Sequence, residues 1–239
     1  MMKNFFAVIG GMGTLATESY IRLVDEQTHA HEDQEFLDYV VFNDASVPDR
    51  TEFILGNSAD SPFPCIADDI RKATAMGASF ITLPCNTAHY FFDDLQALTP
   101  VPIIHMPKVT IAEMSSRYPA SRHPRVAFMG TRGSLVSGIY STAVKAAGYQ
   151  FVQPDAATQE KISYLIYHDV KETGDLDRQR YAEALDAMLT GHHCDIVILG
   201  CTELSVLNEA FPMPELPIVD AQAVLAEETV RQAKKLREN

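Results

Sequence analysis

Short apolar runs alternate with longer amphipathic stretches along the whole chain. The runs have the length and composition of buried β-strands, and the stretches between them have helical spacing. The predicted strands are 5–9, 39–42, 80–83, 103–104, 125–129, 151–152, 196–199 and 218–219. The clearest predicted helices are 16–27, 66–76, 159–170 and 178–189. Strands that alternate with helices form βαβ units, so the pattern predicts an α/β fold with parallel sheets.

The order of features in the first half of the chain is repeated in the second half. A strand ends in a glycine loop at Gly10 and again at Gly130. A cation follows each loop at nearly the same separation, Arg50 after the first and Lys171 after the second. A later strand ends in Cys85 in the first half and in Cys201 in the second, again at similar separations from the glycines. Three features that match in order and spacing indicate an internal duplication.

The duplication divides the chain into two similar α/β halves. We expect a first half over 1–115, a second half over 116–220 and a C-terminal helix over 221–239, with a linker at 115–124 that is rich in Ser, Arg and Pro. A pseudo-twofold axis relating the halves brings equivalent strand ends together. Because ligands of open α/β sheets bind at the carboxyl ends of the strands, the active site is expected in the cleft between the halves.

Composition and charge narrow the function. The chain has 239 residues and a formal net charge of -13, which argues against a nucleic-acid partner because phosphate binding needs a basic face. No apolar stretch approaches the length of a membrane span, and no signal peptide is recognisable at the start, so we expect a cytoplasmic protein. The four cysteines form no C-x-x-C pair, and we expect no metal site.

The two matched cysteines suggest acid–base chemistry at carbon. Inverting an α-carbon requires a base on one face and an acid on the other, and two thiols supply the pair. Each cysteine lies between a strand end and a helix start, where backbone N–H groups and the helix dipole favour a thiolate. Hydrogen bonds to the substrate carboxylate or to a thiolate are expected from Asn86, Thr87 and Thr202.

The cations and the glycine loops complete the predicted substrate site. The planar fork of Arg50 suits a carboxylate, and Lys171 supplies a compact charge. Two cations in one cleft of an acidic protein indicate a substrate with two carboxylates. The loop residues expected to line the cleft are Met12, Gly13, Thr14 and Thr131.

Four motifs resemble the aspartate/glutamate racemase superfamily, with its aspartate racemase branch the closer likeness. They begin at Gly10 (GGMGTLAT), Pro48 (PDRT), Pro84 (PCNTAH) and Gly200 (GCTE), and the resemblance covers essentially the whole chain. It implies a homodimer that racemises aspartate, with or without glutamate, through two thiols and without pyridoxal phosphate or metal. It also implies that Arg50 and Lys171 hold the side-chain carboxylate.

Two positions depart from the common pattern of that superfamily. The glutamate racemase branch usually carries histidine after the second Cys-Thr, where this chain has Glu203. The first motif commonly continues with proline, where this chain has Thr14. The glutamate favours the aspartate branch, and the threonine bears on the rigidity of the loop and on substrate size.

Other functions remain open at this point. The sequence from Gly11 to Ala16 fits the G-x-G-x-x-A form of a dinucleotide fingerprint, although its repetition at Gly130 disfavours that role. The alternatives are a maleate isomerase, an arylmalonate decarboxylase, and a non-catalytic protein that binds amino acids or nucleotides. The decarboxylase usually keeps one of the two cysteines, so it is disfavoured. His89 lies one helical turn after Cys85, where a histidine could tune that thiol, but the favoured prediction is a surface residue.

Overall fold

The computed structural model describes residues 4–238, which form two compact units. The first comprises residues up to 106 together with 222–238, and the second comprises 107–221. The division after 106 precedes the boundary that we expected at 115. The expected linker is occupied by the end of a helix and a short turn before the next strand. The C-terminal helix belongs to the first unit.

The elements follow one another as alternating strands and helices. The strands are β1 Phe6–Gly10, β2 Tyr39–Asn43, β3 Ile81–Thr82, β4 Arg125–Gly130, β5 Gln150–Val152, β6 Ile196–Gly200 and β7 Ile218–Asp220. The α-helices are α1 Thr14–Thr28, α2 Arg50–Ile54, α3 Phe63–Ala75, α4 Phe92–Gln96, α5 Met106–Arg117, α6 Arg132–Ser137, α7 Ile139–Ala146, α8 Ala156–Tyr164, α9 Arg178–Asp186, α10 Thr202–Ala210 and α11 Ala221–Glu238. Short 3₁₀ turns cover Asp33–Glu35 and Thr87–Phe91, and π-helical segments cover Leu165–Thr173 and Ala187–Gly191.

The first unit is built on a three-stranded parallel sheet in the order β2-β1-β3. The central strand β1 is buried along its whole length and aligns Gly10 with Asn43 at the carboxyl edge. The apolar core packs mainly α3 and the segment around Cys85 against this sheet. Full burial of a short apolar strand by neighbours on both sides is what parallel sheets require.

The second unit is built on a four-stranded parallel sheet in the order β5-β4-β6-β7. Strands β4 and β6 are paired from Val126 and Ile196 onward, and both end together at Gly130 and Gly200. The core of this unit combines the sheet with α8, the 165–173 segment, α9 and α10. Residues that follow β4 and β6 therefore emerge at one edge of the sheet.

The predicted strands and the α/β class with parallel sheets are confirmed. The exception is 103–104, where Ile103 forms only an isolated parallel bridge to Ile81. The predicted helix 159–170 continues as a π-helical segment to Thr173, and 178–189 ends in a second one. Hydrophobic periodicity does not distinguish these forms over one or two turns.

Within the first unit, helix α11 packs against α1 and β3 through buried polar side chains. The Tyr20 hydroxyl lies 2.8 Å from Thr82 Oγ1 and 2.7 Å from Thr229 Oγ1, so it links α1, β3 and α11. Gln222 Nε2 donates to Ser19 Oγ at 3.0 Å near the start of the helix. Within residues 4–238, no helix is both long enough and apolar enough to cross a bilayer.

Candidate active site

Cys85 lies in the first unit, shortly after β3 and just before a 3₁₀ turn. Its backbone N–H donates to the carbonyl of Leu83 at 2.8 Å, which bends the chain away from the strand direction. The thiol is free, and the residue is 6 % exposed. Asn86 and Thr87 follow directly and are buried with it. The structure thus brings together the three residues of the first predicted cysteine motif at the strand's carboxyl end.

His89 supports the backbone of Cys85, and the prediction that it is a surface residue was wrong. It is buried, and its Nδ1 lies 2.9 Å from the carbonyl oxygen of Cys85. The backbone N–H of Met106 donates to His89 Nε2 at 3.0 Å. Because Nε2 is therefore an acceptor, the proton of the neutral ring is on Nδ1, which donates to Cys85. Burial lowers the pKa of His89 to about 4, so the ring is neutral at ordinary pH.

Cys201 lies in the second unit, directly after β6, and is the N-cap residue of α10. Its thiol is free and, like that of Cys85, belongs to a residue that is 6 % exposed. The Sγ atom donates to Glu203 Oε2 at 2.8 Å, and Thr202 Oγ1 donates to the same oxygen at 3.3 Å. The second cysteine is therefore in contact with a carboxylate that the sequence analysis did not assign to the site.

The environment of Cys201 favours the thiol over the thiolate. Burial raises the pKa of Cys201 well above its ordinary value, and the negative charge of Glu203 raises it further. The backbone N–H of Glu203 and the charge of Lys171 act in the opposite direction but are outweighed. The expected stabilisation of a thiolate by the helix start is thus present at this cysteine, and desolvation overcomes it.

Lys171 reaches this cluster from the π-helical segment of the same unit. Its Nζ lies 3.6 Å from Glu203 Oε1 and 4.9 Å from the centre of the Tyr167 ring. The lysine side chain is 24 % exposed, whereas that of Glu203 is 4 % exposed. Lys171 thus forms an ion pair with Glu203, and its charge acts on the Cys201 thiol.

Arg50, the counterpart of Lys171 in the sequence repeat, lies in the first unit and has different partners. Asp49 caps α2 by accepting from the N–H of Glu52, which places Arg50 at the first helical position. Its Nη2 donates to the carbonyl of Met12 at 2.9 Å, and its Nη1 donates to those of Val47 and Pro48. No carboxylate of residues 4–238 pairs with this guanidinium, and its buried Nε has no hydrogen-bond partner there. Arg50 is thus a buried cation, 8 % exposed, without a counter-ion among those residues.

The conformation of the first glycine loop requires glycine at position 11. Gly11 has a φ of 84°, and an added Cβ would lie 2.4 Å from the backbone of Asp44. Thr17 closes the loop by accepting from the N–H of Gly11 at 3.0 Å and donating to the carbonyl of Gly13 at 2.9 Å. The loop thus places Met12 and Gly13 between β1 and Thr14, the first residue of α1, with the Met12 carbonyl in contact with Arg50.

The second loop is built differently. Thr131 caps α6 by accepting from the N–H of Ser134 at 3.1 Å, and it also contacts the Ser134 hydroxyl. An added Cβ on Gly130 or on Gly200 would collide with the ring of Phe128, which lies between the two strand ends. Gly130 and Gly200 are therefore required by side-chain packing, whereas Gly11 is required by backbone conformation.

Three residues of the site were missed by sequence reasoning. Glu203 was noted only as a departure from histidine, His89 was predicted on the surface, and Thr17 was not considered. The position of Glu203 two residues after an N-cap cysteine was the available signal for its contact with the thiol. In the described part of the chain, no group of three or more His, Cys, Asp or Glu side chains is arranged to hold a metal ion.

Comparisons with known proteins agree with this architecture. The model of the Asp/Glu/hydantoin racemase family matches residues 9–229. Over 233 residues the chain is 29 % identical to the broad specificity amino-acid racemase RacX of Bacillus subtilis, covering 93 % of this chain and 95 % of RacX.

Solved structures of racemases have the same fold. The Picrophilus torridus aspartate racemase superposes with a TM-score of 0.81 at 26 % identity, covering 98 % of each chain. The glutamate racemase of Francisella tularensis superposes with a TM-score of 0.70 at 14 % identity, covering 99 % of this chain and 83 % of its own. The chain therefore belongs to the Asp/Glu/hydantoin racemase family and is an amino-acid racemase, an isomerase.

Proposed function

We propose that the protein racemises an acidic amino acid, with aspartate as the preferred substrate, by moving the α-proton between two cysteines. The observation that carries the proposal is the equivalent placement of Cys85 and Cys201. Each is free, equally buried and located where a parallel strand gives way to a helix. In this mechanism one thiolate removes the α-proton and the other thiol donates a proton to the opposite face of the same carbon.

Arg50 is proposed to bind a substrate carboxylate. A buried cation needs an anionic partner, because desolvation of an uncompensated charge is costly. The partner is absent among residues 4–238, and the Nε donor of Arg50 remains unused. A carboxylate at this point would complete the hydrogen bonds of the guanidinium. The positive charge of Arg50 would also stabilise the enolate-like intermediate that forms when the α-proton leaves.

The remaining residues are proposed to line the same site. Asn86, Thr87 and Thr202 are buried next to the two thiols and carry donors for a carboxylate. The loop residues proposed as substrate contacts are Met12, Gly13, Thr14 and Thr131. Lys171 is proposed as the contact of the second carboxylate, with its charge already shared with Glu203. Two thiols supply both acid and base, so the proposed reaction needs no pyridoxal phosphate or metal, and we propose that it occurs in a cytoplasmic homodimer.

A broader substrate range is the second candidate function. The charge of Lys171 is compensated by Glu203, so Arg50 is the one cation of the proposed site that lacks a carboxylate among the described residues. A single uncompensated cation matches the α-carboxylate that every amino acid has. The likeness to a broad specificity racemase is consistent with this candidate.

Proton NMR of the reduced protein in deuterated water distinguishes these functions. Aspartate, glutamate and a panel of neutral and basic amino acids are incubated in turn, and loss of the α-proton signal is followed together with chiral chromatography. Exchange and racemisation limited to aspartate and glutamate support the first candidate, and activity on neutral amino acids supports the second. Loss of racemisation in Cys85→Ala and in Cys201→Ala supports the two-thiol mechanism. Retained activity in either variant would refute it.

A further inference from the structure

Glu203 makes the surroundings of the two cysteines unequal. Its Oε2 accepts from Cys201 Sγ at 2.8 Å and from Thr202 Oγ1 at 3.3 Å, while its Oε1 lies 3.6 Å from Lys171 Nζ. Both oxygens of this buried carboxylate are therefore engaged by hydrogen donors or by positive charge. In the first unit, by contrast, the residue two positions after Cys85 is Thr87, which has no carboxylate to offer.

Lys171 is the counter-ion of the Glu203 carboxylate, which also accepts hydrogen bonds from Cys201 and Thr202. An ionised carboxylate can only accept hydrogen bonds. The short contact with Sγ therefore requires that Cys201 keeps its proton.

We propose that Glu203, supported by Lys171, fixes the resting place of the single catalytic proton on Cys201, which leaves Cys85 as the base of the resting enzyme. The inference rests on the proposed two-thiol function. Glu203 is a positioning residue, since it acts through the sulfur of Cys201. Substrate whose α-hydrogen faces Cys85 then reacts directly with the resting form.

The proton balance of this cycle closes without any further reactant. The Cys85 thiolate takes the α-proton, an S–H bond forms as the Cα–H bond breaks, and the electron pair stays on the substrate. Cys201 then gives its proton to the opposite face of that carbon and becomes a thiolate. The product form holds its proton on Cys85, and transfer through water to Cys201 restores the resting form. The other enantiomer runs through the same steps in reverse.

The charged groups near Cys201 support this assignment. The pKa of Cys201 is raised by burial and by Glu203, and the opposing effect of Lys171 is weaker. Of the other ionisable side chains of the π-helical segment, Glu172 is exposed, and His168 and Asp169 are engaged elsewhere. Asp169 accepts two hydrogen bonds from Arg180 Nη1, and His168 contacts Asp169 at 3.2 Å. Tyr167 lies beneath the Lys171 ammonium group.

Alkylation of Cys201 measures the effect directly. In a Cys85→Ala background, the rate of carbamidomethylation of Cys201 by iodoacetamide is followed by mass spectrometry across pH. We expect Glu203→Gln to move the curve to lower pH by about one unit or more, which is about a tenfold faster reaction near neutral pH. Glu209→Gln, a carboxylate change further along α10, is the matched control and should leave the curve in place. An unchanged curve in Glu203→Gln would overturn the inference.

The pH dependence of racemisation tests the same point during catalysis. The alkaline limb of the profile of kcat/KM reports loss of the essential acid. In Glu203→Gln this limb should move to lower pH by the same amount as the alkylation curve, because Cys201 then loses its proton at a lower pH. Glu203→Met, neutral and of similar length, should behave alike and serves if the glutamine variant does not fold.

The two proposals fail in distinguishable ways. Wild-type protein that racemises no amino acid, or that remains active as Cys201→Ala, refutes the two-thiol function itself. An active wild type that needs Cys201, combined with a Glu203→Gln variant whose alkaline limb stays in place, refutes only the role of Glu203. A general loss of activity in Glu203→Gln without a shift of the limb indicates a purely structural role and also overturns the inference.

Discussion

The Nη2 group of Arg50 donates to the carbonyl oxygen of Met12 at 2.9 Å, which connects the start of α2 to the first glycine loop. Two further carbonyls, of Val47 and Pro48, accept from Nη1. All three acceptors are neutral, so the hydrogen bonds fix the guanidinium in place without neutralising it. The result is a rigid cation adjacent to the loop that is proposed to bind substrate.

Replacing Arg50 by lysine should separate charge from geometry. Arg50→Lys keeps the positive charge but cannot contact three carbonyls and a carboxylate at once, because an ammonium group lacks the planar fork. A charged hydrogen bond is worth about 1.5–3 kcal/mol, so we expect kcat/KM to fall by about 100-fold, mainly through KM. Steady-state kinetics on both enantiomers of aspartate measure this. Arg178→Gln, an exposed change on α9, should have wild-type kinetics. A lysine variant with wild-type KM would contradict the assignment of Arg50.

The neutral state of His89 predicts a pH-dependent stability. Its pKa of about 4 lies below the value of 6.5 that it has when exposed, so the unfolded chain binds the proton more readily. The stability that this group contributes is present above about pH 6.5 and is lost as the pH falls towards 4. Between these two pKa values, which lie two to three pH units apart, the free energy of unfolding falls by about 3 kcal/mol.

Chemical denaturation at about pH 7 and pH 4.5 tests the role of His89. The wild-type protein should lose this stability between the two pH values. The His89→Gln variant should be less stable than wild type at neutral pH and should lose less stability on acidification. Equal pH dependence in both proteins would show that His89 does not titrate on unfolding. Racemase activity of the variant should also fall, because the carbonyl of Cys85 loses its fixed donor.

Docking of α11 depends on the hydroxyl of Tyr20. Tyr20→Phe removes contacts with Thr82 and Thr229 and leaves two buried hydroxyl groups with one partner fewer. We expect a loss of about 1–3 kcal/mol in the free energy of unfolding. Urea denaturation measures it, with Tyr90→Phe at an exposed position as the neutral control. If the two variants were equally stable, these hydroxyl contacts would carry no net free energy.

Much of the fold could be predicted because the central strands of both sheets are buried. Strands such as β1, β4 and β6 are short, largely apolar and end in glycine, which is a strong local signal. The segment at Ile103 carried the same signal but forms only a bridge, since pairing depends on how much of the neighbouring strand is available. The two π-helical segments differ from α-helix by one residue in the hydrogen-bond spacing, which hydrophobic periodicity does not resolve.

The sequence could predict candidate site residues but not the partners of their charged groups. Repeat spacing predicted Cys85, Cys201, Arg50 and Lys171 as equivalent pairs, of which the cysteines lie near strand ends, Arg50 begins α2 and Lys171 lies in the π-helical segment. The electrostatics broke that equivalence, since Lys171 faces Glu203 while Arg50 faces neutral carbonyls. Which partner a cation selects depends on side-chain directions across non-adjacent elements, and these are set by tertiary packing.

The last prediction concerns Gly200, the residue before Cys201. A Cβ at this position would lie 1.9 Å from Cε2 of the buried Phe128 ring, so Gly200→Ala forces the ring or the end of β6 to move. Overpacking of this kind costs about 1–3 kcal/mol. Because Cys201 Sγ depends on its contact with Glu203, a shifted strand end should also lower kcat by about tenfold or more. Differential scanning calorimetry and racemase assays measure the two effects.

Two further variants separate crowding at Gly200 from other effects of the added methyl group. Phe128→Leu removes the ring that the Cβ would strike, so Gly200→Ala should cost less stability in that background than alone, a non-additivity typical of residues in contact. Gly191→Ala, where no atom lies within 4 Å of the added Cβ, should leave stability and activity almost unchanged. If the losses of stability from Gly200→Ala and Phe128→Leu were strictly additive, the Phe128 ring would not be the cause of crowding at position 200. The loss of activity would then have to come from the backbone next to Cys201.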